Sequence, residues 1–173
     1  MKASTIFLSA FLAASAMALP TTLQKRIDEQ QVFNSINAWI NNVDNVNSFL
    51  DAPVGQSPSE LQSAAQTALD NANDEPIQLQ ILSDVNNLDS DGLSAVNTLM
   101  RVFGNVITQL QNIINSPDEV DAVNNAISSI NDTRCKFVLP SVTQLWASAA
   151  QAVGAPPPPA ASIPNACQTV SKN

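Results

Sequence analysis

The stretch from Gly92 to Asn115, GLSAVNTLMRVFGNVITQLQNIIN, admits few folds. Leu93, Val96, Leu99/Met100, Phe103, Val106/Ile107, Leu110 and Ile113/Ile114 recur every three or four residues. At about 100° per residue they form one broad apolar face, with Ser94, Thr98, Arg101, Asn105, Thr108 and Asn112 opposite. About 24 residues rising roughly 1.5 Å each make a rod of about 36 Å. The doubled apolar positions widen its stripe beyond a two-helix seam, so the rod needs at least two partners.

The flanking sequence supplies them. Asp28 to Leu50 predicts a helix with Val32/Phe33, Ile36, Trp39/Ile40, Val43, Val46 and Phe49/Leu50 on one face. Asp28 and Glu29 complement the positive end of its dipole. Ser57-Pro58-Ser59-Glu60 predicts a second start: Ser57 caps, Pro58 takes the first helical position, and Glu60 closes a capping box. Leu61, Ala64/Ala65, Ala68/Leu69 and Ala72 follow. Asn73-Asp74-Glu75-Pro76 predicts a stop or a kink before a short amphipathic run through Ile77, Ile81/Leu82, Val85 and Leu88. Asp89-Ser90-Asp91-Gly92 reads as a turn, with Asp91 capping the central helix. As a calcium loop it lacks a third ligand before the glycine and the closing bidentate glutamate.

Ser116-Pro117-Asp118-Glu119 repeats the capping pattern ahead of Val120, Val123, Ile127 and Ile130, a helix that extends toward Cys135 and Phe137. Pro140 opens a last helix bearing Val142, Leu145/Trp146, Ala149 and Val153, and Gly154 stops it. Pro156 to Pro159 is a stiff polyproline run. The residues from Gly154 to Ala166 have the reach to carry Cys167 back to Cys135. The expected fold is all-α: an antiparallel bundle of five to six amphipathic helices over residues 27–153, closed by a C-terminal polyproline strap over 154–173.

The first residues read as an address. Lys2 precedes an apolar run, Ile6 to Ala14, too short to span a bilayer. Ala16-Met17-Ala18 offers the small residues a signal peptidase needs, which places the cut after Ala18. Lys25-Arg26 then resembles the dibasic processing site of a short propeptide, residues 19–26. Removing 26 of 173 residues leaves 147, enough for one domain with a real core. Lys2, Lys25 and Arg26 leave with that segment, so four cations face fifteen acids, a net charge of −11. Such a balance argues against nucleic acid and anionic membrane surfaces as partners. The remaining polar surface is mostly amide, 19 Asn and 12 Gln beyond residue 26. No later stretch reaches the length of a membrane span.

Two cysteines, Cys135 and Cys167, suit one intrachain disulfide in an oxidising compartment. Closing that loop stabilises by roughly 3–4 kcal/mol on the chain-entropy estimate. Asn131-Asp132-Thr133 is the one standard glycosylation sequon, with Asn131 the acceptor. The chain has no histidine, which removes Ser-His-Asp and Cys-His catalysis and His-ligated metals. The glycines beyond residue 26 are isolated, so no phosphate loop forms. Acids such as Asp89/Asp91 and Asp118/Glu119/Asp121 sit at helix starts, where the dipole accounts for them. The expectation is a non-enzyme with no cofactor and no metal.

Apolar surface is what remains. A cavity or openable seam between helices would take an acyl chain, or lie on a hydrophobic surface. Its candidate residues are Ile36, Ile40, Val43, Leu99, Phe103, Val106, Ile107, Leu110, Ile114, Leu145 and Trp146, with room beside the alanines of the second and last helices. Arg101 projects opposite the central stripe. Arg134 and Lys136, near the cysteines, are better placed to hold a ligand carboxylate.

The layout resembles the fungal hydrophobic surface binding protein A family, which includes cell-wall galactomannoproteins. The leader ending Ala-Leu-Pro-Thr-Thr-Leu-Gln-Lys-Arg, the helix from Asp28 to Leu50, the alanine-rich Leu61 to Asn73 and the long helix from Leu93 to Ile114 carry the resemblance. The Cys135/Cys167 pair and the polyproline strap depart from the family pattern. The resemblance implies a secreted, extracellular or wall-associated helical protein that binds fatty acids or adsorbs to hydrophobic surfaces. The alternatives are a secreted effector or elicitor-like protein acting on a host protein, and a structural cell-wall component.

Overall fold

The computed structural model describes residues 27–52 and 55–170. Ala18, Lys25 and Arg26, and with them both cleavage sites, lie outside the described residues. Among the described residues the chain is all helical, with no strand. Its elements are α1 (Glu29–Leu50), α2 (Pro58–Ser83), α3 (Ser90–Asn115), α4 (Val120–Thr133), a π-helical turn (Arg134–Val138), α5 (Leu139–Ala152) and a short α6 (Cys167–Val170).

Local sequence sets the helix starts. Asp28 caps α1 and forms a capping box with Gln31, while Ser57 and Glu60 form the expected one at α2. The repeat at residues 116–119 behaves differently. Glu119 is itself the cap residue of α4 and has no side-chain cap bond, and Ser116-Pro117-Asp118-Glu119 forms the turn before it. At α3 the cap is Asp89 rather than Asp91, with its carboxylate accepting from the Gly92 amide at 2.8 Å.

Pro76 does not stop its helix, and Pro140 opens one as expected. Pro76 lies inside α2, which runs on to Ser83, so the separate helix expected around Ile77 to Leu88 merges with the alanine-rich one. Packing of α2 on α1 and α3 outweighs the missing amide. Pro140 lies in the first turn of α5, which follows the π turn without a loop. Proline has no amide to bond the carbonyl four residues back. The wider turn just before it, where the Leu139 amide reaches Arg134 O, makes room for the ring.

Side-chain pairs fix the directions. Ser35 meets Gln78, Trp39 meets Glu75, Asn42 meets Asp74 and Asn45 meets Asn71, so α1 and α2 run antiparallel. Asn105 of α3 reaches Ser129 and Thr133 of α4, and Asp89 at the start of α3 reaches Ser148 near the end of α5. The whole run from α4 through α5 is therefore antiparallel to α3. The stripe of α3 is covered by α2, α4 and α5, more than the two partners it requires.

One core results. Trp39 stands edge-on to Trp146 at 6.1 Å between ring centroids and lies 6.0 Å from Phe103. Ala65, Ala68 and Ala72 of α2 and Ala149 of α5 are buried in the same cluster, and their small side chains let each helix pack closely on α3. Gly92 marks the tightest approach: a Cβ there would fall 2.2 Å from Ser148 Oγ. Gly154 ends α5 with φ +80°, the left-handed conformation a glycine stop supplies.

Asp89 ties this end together, since its carboxylate accepts from Gly92 N and from Ser148 Oγ. The Gly92 amide first, and then the Ser148 hydroxyl, hold its carboxyl below the ordinary 3.8. A depressed folded pKa contributes stability that is complete above the unfolded value and lost as pH falls through the folded one. Asp89→Ala is expected to lower the melting temperature at neutral pH through loss of the α3 cap. Thermal melts followed by circular dichroism should find that gap narrowing as pH falls through the depressed folded pKa and the native carboxylate protonates.

Candidate functional site

The eleven residues proposed for an apolar site all belong to the core. Ile36, Val43, Leu99, Phe103, Val106, Leu110, Leu145 and Trp146 are buried, and Ile40, Ile107 and Ile114 are partly buried against them. Helical periodicity brings them together, since each lies on the inward stripe of α1, α3 or α5. Four surface depressions among the described residues are lined by none of the eleven.

Within this core lies an ion pair. Arg134 and Glu75 are both 0% exposed, and Arg134 Nη1 donates to Glu75 Oε1 at 2.9 Å. Trp39 Nε1 donates to the other carboxylate oxygen at 3.2 Å, and Arg134 Nη2 donates to Asn47 Oδ1 at 3.2 Å. Arg134 Nε and Trp146 Nε1 find no acceptor among the described residues. Arg134 is thus an internal structural cation, already paired, rather than an open carboxylate anchor. Lys136 is about half exposed and pairs with Asp132 one turn earlier, and Arg101 is exposed as expected.

Asn47 extends the network to the C-terminal segment. Its amide donates to Ser162 O at 2.8 Å, and Ser162 Oγ donates to Asp44 Oδ1. Further on, the amides of Asn165 and Ala166 donate to the two carboxylate oxygens of Asp51 at 3.0 and 3.1 Å. Ala161 N donates to Thr143 Oγ1 of α5 at 3.0 Å. Cys135 of the π turn is bonded to Cys167, with the Cα atoms 5.4 Å apart.

Between α5 and this segment lies a groove of about 470 Å³. Leu139, Pro140 and Thr143 form one wall; Ala160, Ala161 and Ile163 form the other; the Cys135–Cys167 bond and Gln168 close it. No charged side chain lines it. Ile163 is 73% exposed, and Phe137, on the turn between Cys135 and Leu139, is 44% exposed. Sequence reasoning placed the disulfide but not the groove, whose two walls are far apart in the chain. Asn131 is half-buried in α4, with its side-chain oxygen shielded and unbonded among the described residues.

Among the described residues no group of three or more acids or cysteines is arranged to hold a metal ion. No described helix is long and apolar enough to cross a membrane. Comparison with protein-family models, with curated proteins and with solved structures returns no match.

Proposed function

We propose that this chain is a secreted, non-enzymatic helical protein that binds a fatty acyl chain or a similar linear apolar ligand, with its polyproline segment acting as a strap over the bundle. The observation that carries the reading is the uncharged apolar groove at the disulfide. Its volume falls in the usual ligand-site range of about 300–1,000 Å³. Leu139, Ala160, Ala161 and Ile163 offer dispersion contact to a methylene chain, while Thr143 and Gln168 offer polar ends to a head group. A groove open to solvent suits reversible uptake, or adsorption to a hydrophobic surface.

The disulfide favours an oxidising compartment. Export through cleavage after Ala18 and processing at Lys25-Arg26, with an extracellular or wall destination, completes the proposal. The likeness to the hydrophobic surface binding family points the same way.

Titration with a dansyl-labelled undecanoic acid tests it. Fluorescence enhancement is expected with the wild type, and displacement by palmitate. Ile163→Glu places a charge in the groove at a mostly exposed position. It should weaken binding by about tenfold or more, since an ion beside an apolar ligand loses hydration, and leave the melting temperature nearly unchanged. Probe binding that is absent, or equal in wild type and variant, rules the groove out as the acyl site.

A further inference from the structure

The residues between α5 and α6 carry a regular pattern of exposure. Ala155 and Pro158 are half-buried, Ala161 and Pro164 are buried, and every pair between them is exposed. A period of three is that of the left-handed polyproline II helix, with three residues per turn. One ridge, through 155, 158, 161 and 164, therefore faces the bundle. Two ridges face solvent: Pro156, Pro159 and Ser162 on one, Pro157, Ala160 and Ile163 on the other.

The segment is held at both ends. Ala155 N donates to Ala150 O at 2.9 Å, and Ala161 N is fixed by Thr143 at 3.0 Å. Asn47 holds Ser162 O, and Cys167 is covalently bound. Much of the ordering entropy of an extended ligand is thus already spent in folding. Among the described residues no hydrogen bond ends on a carbonyl oxygen of residues 156–160, so these acceptors remain for an incoming donor. Residues 155–164 include no charged side chain.

We infer that the outer ridges of this segment are a docking surface for a partner protein whose recognition groove is lined by aromatic side chains. Grooves of that kind stack tryptophan and tyrosine rings on exposed prolines, and donate indole or phenol hydrogens to the polyproline carbonyls. Pro156 and Pro159, one turn apart on one ridge, supply the stacking faces. The absence of charge means that stacking and carbonyl bonds, not ion pairs, select the partner. Pro156 and Pro159, which carry the stacking, do not line the groove at the disulfide, whereas Ala160 and Ile163 of the other ridge belong to its wall.

The test uses three isotope-labelled probes, an EVH1, a WW and an SH3 domain, each titrated with the full disulfide-bonded chain and followed by amide chemical shifts. At least one domain is expected to shift at its groove aromatics. The outward pair Pro156→Gln/Pro159→Gln should weaken that binding by about tenfold or more, the loss of two stacked anchors. The inward Pro158→Ala should bind as the wild type does. Thermal melts of both variants identify any that fail to fold, and Pro156→Gln alone then replaces the pair. Silence from all three domains, undiminished binding by the outward variant, or an equal loss in Pro158→Ala would each overturn the inference.

Discussion

Glu75→Ala is expected to destabilise the protein by about 3–5 kcal/mol, the cost of leaving a buried charge without its partner. The substitution strips Arg134 of its counter-ion where neither residue is exposed. It also removes the acceptor of the Trp39 indole and, among the described residues, leaves the guanidinium with Asn47 alone. Removing both charges should behave very differently. In Glu75→Leu/Arg134→Met, two side chains of similar length fill the same space, and neither desolvated ion remains. That double variant should be near neutral, or more stable by about 1–4 kcal/mol. Urea unfolding at neutral pH measures both. A loss below about 1 kcal/mol in the single variant would mean that water reaches Arg134 and that the pair is not sealed.

The same pair marks the limit of what periodicity conveys. The stripe of α3 predicts the burial of Leu99, Phe103, Val106 and Leu110, while Leu93 and Met100 on its margins stay exposed. Burial follows from a repeat that any neighbour can satisfy. Glu75 and Arg134 also fall in phase with apolar stripes, Glu75 between Ala72 and Leu79 and Arg134 four residues after Ile130. Two opposite charges, each on an inward stripe, are the signal that they meet, yet which helices bring them together depends on tertiary packing. The groove is less legible still. Its walls are Leu139 to Thr143 and Ala160 to Ile163, and neither stretch is concave by itself. As a stop signal Pro76 misleads for a related reason. A proline costs a helix about 3 kcal/mol in isolation, but Leu79 and Leu82 beyond it bury fully enough to carry the helix through. The capping signals divide along the same line. Ser57-Pro58-Ser59-Glu60 forms its box, whereas Ser116-Pro117-Asp118-Glu119, one turn short of its helix, becomes a turn.

Cys135→Ser/Cys167→Ser should cost about 3–4 kcal/mol, because the bond closes a long loop in the unfolded chain. The cysteines are separated by 32 positions, and most of the intervening chain is α5 and the segment that returns along it. The loss should be local in its consequences. The packing of α1, α2, α3 and α5 does not pass through the bond, so far-ultraviolet circular dichroism should change little. Hydrogen exchange should speed up at Ala161, Asn165 and Ala166, whose amides are held by Thr143 and Asp51. Those bonds are individually worth about 1 kcal/mol, so together they compete with the freedom regained by a loose tail. The groove supplies a second reading, since its far wall belongs to that tail and should lose definition with it. If the serine variant keeps its slow exchange and its stability within about 1 kcal/mol, the hydrogen bonds and the buried Ala161 and Pro164 alone secure the segment. The covalent link would then be dispensable.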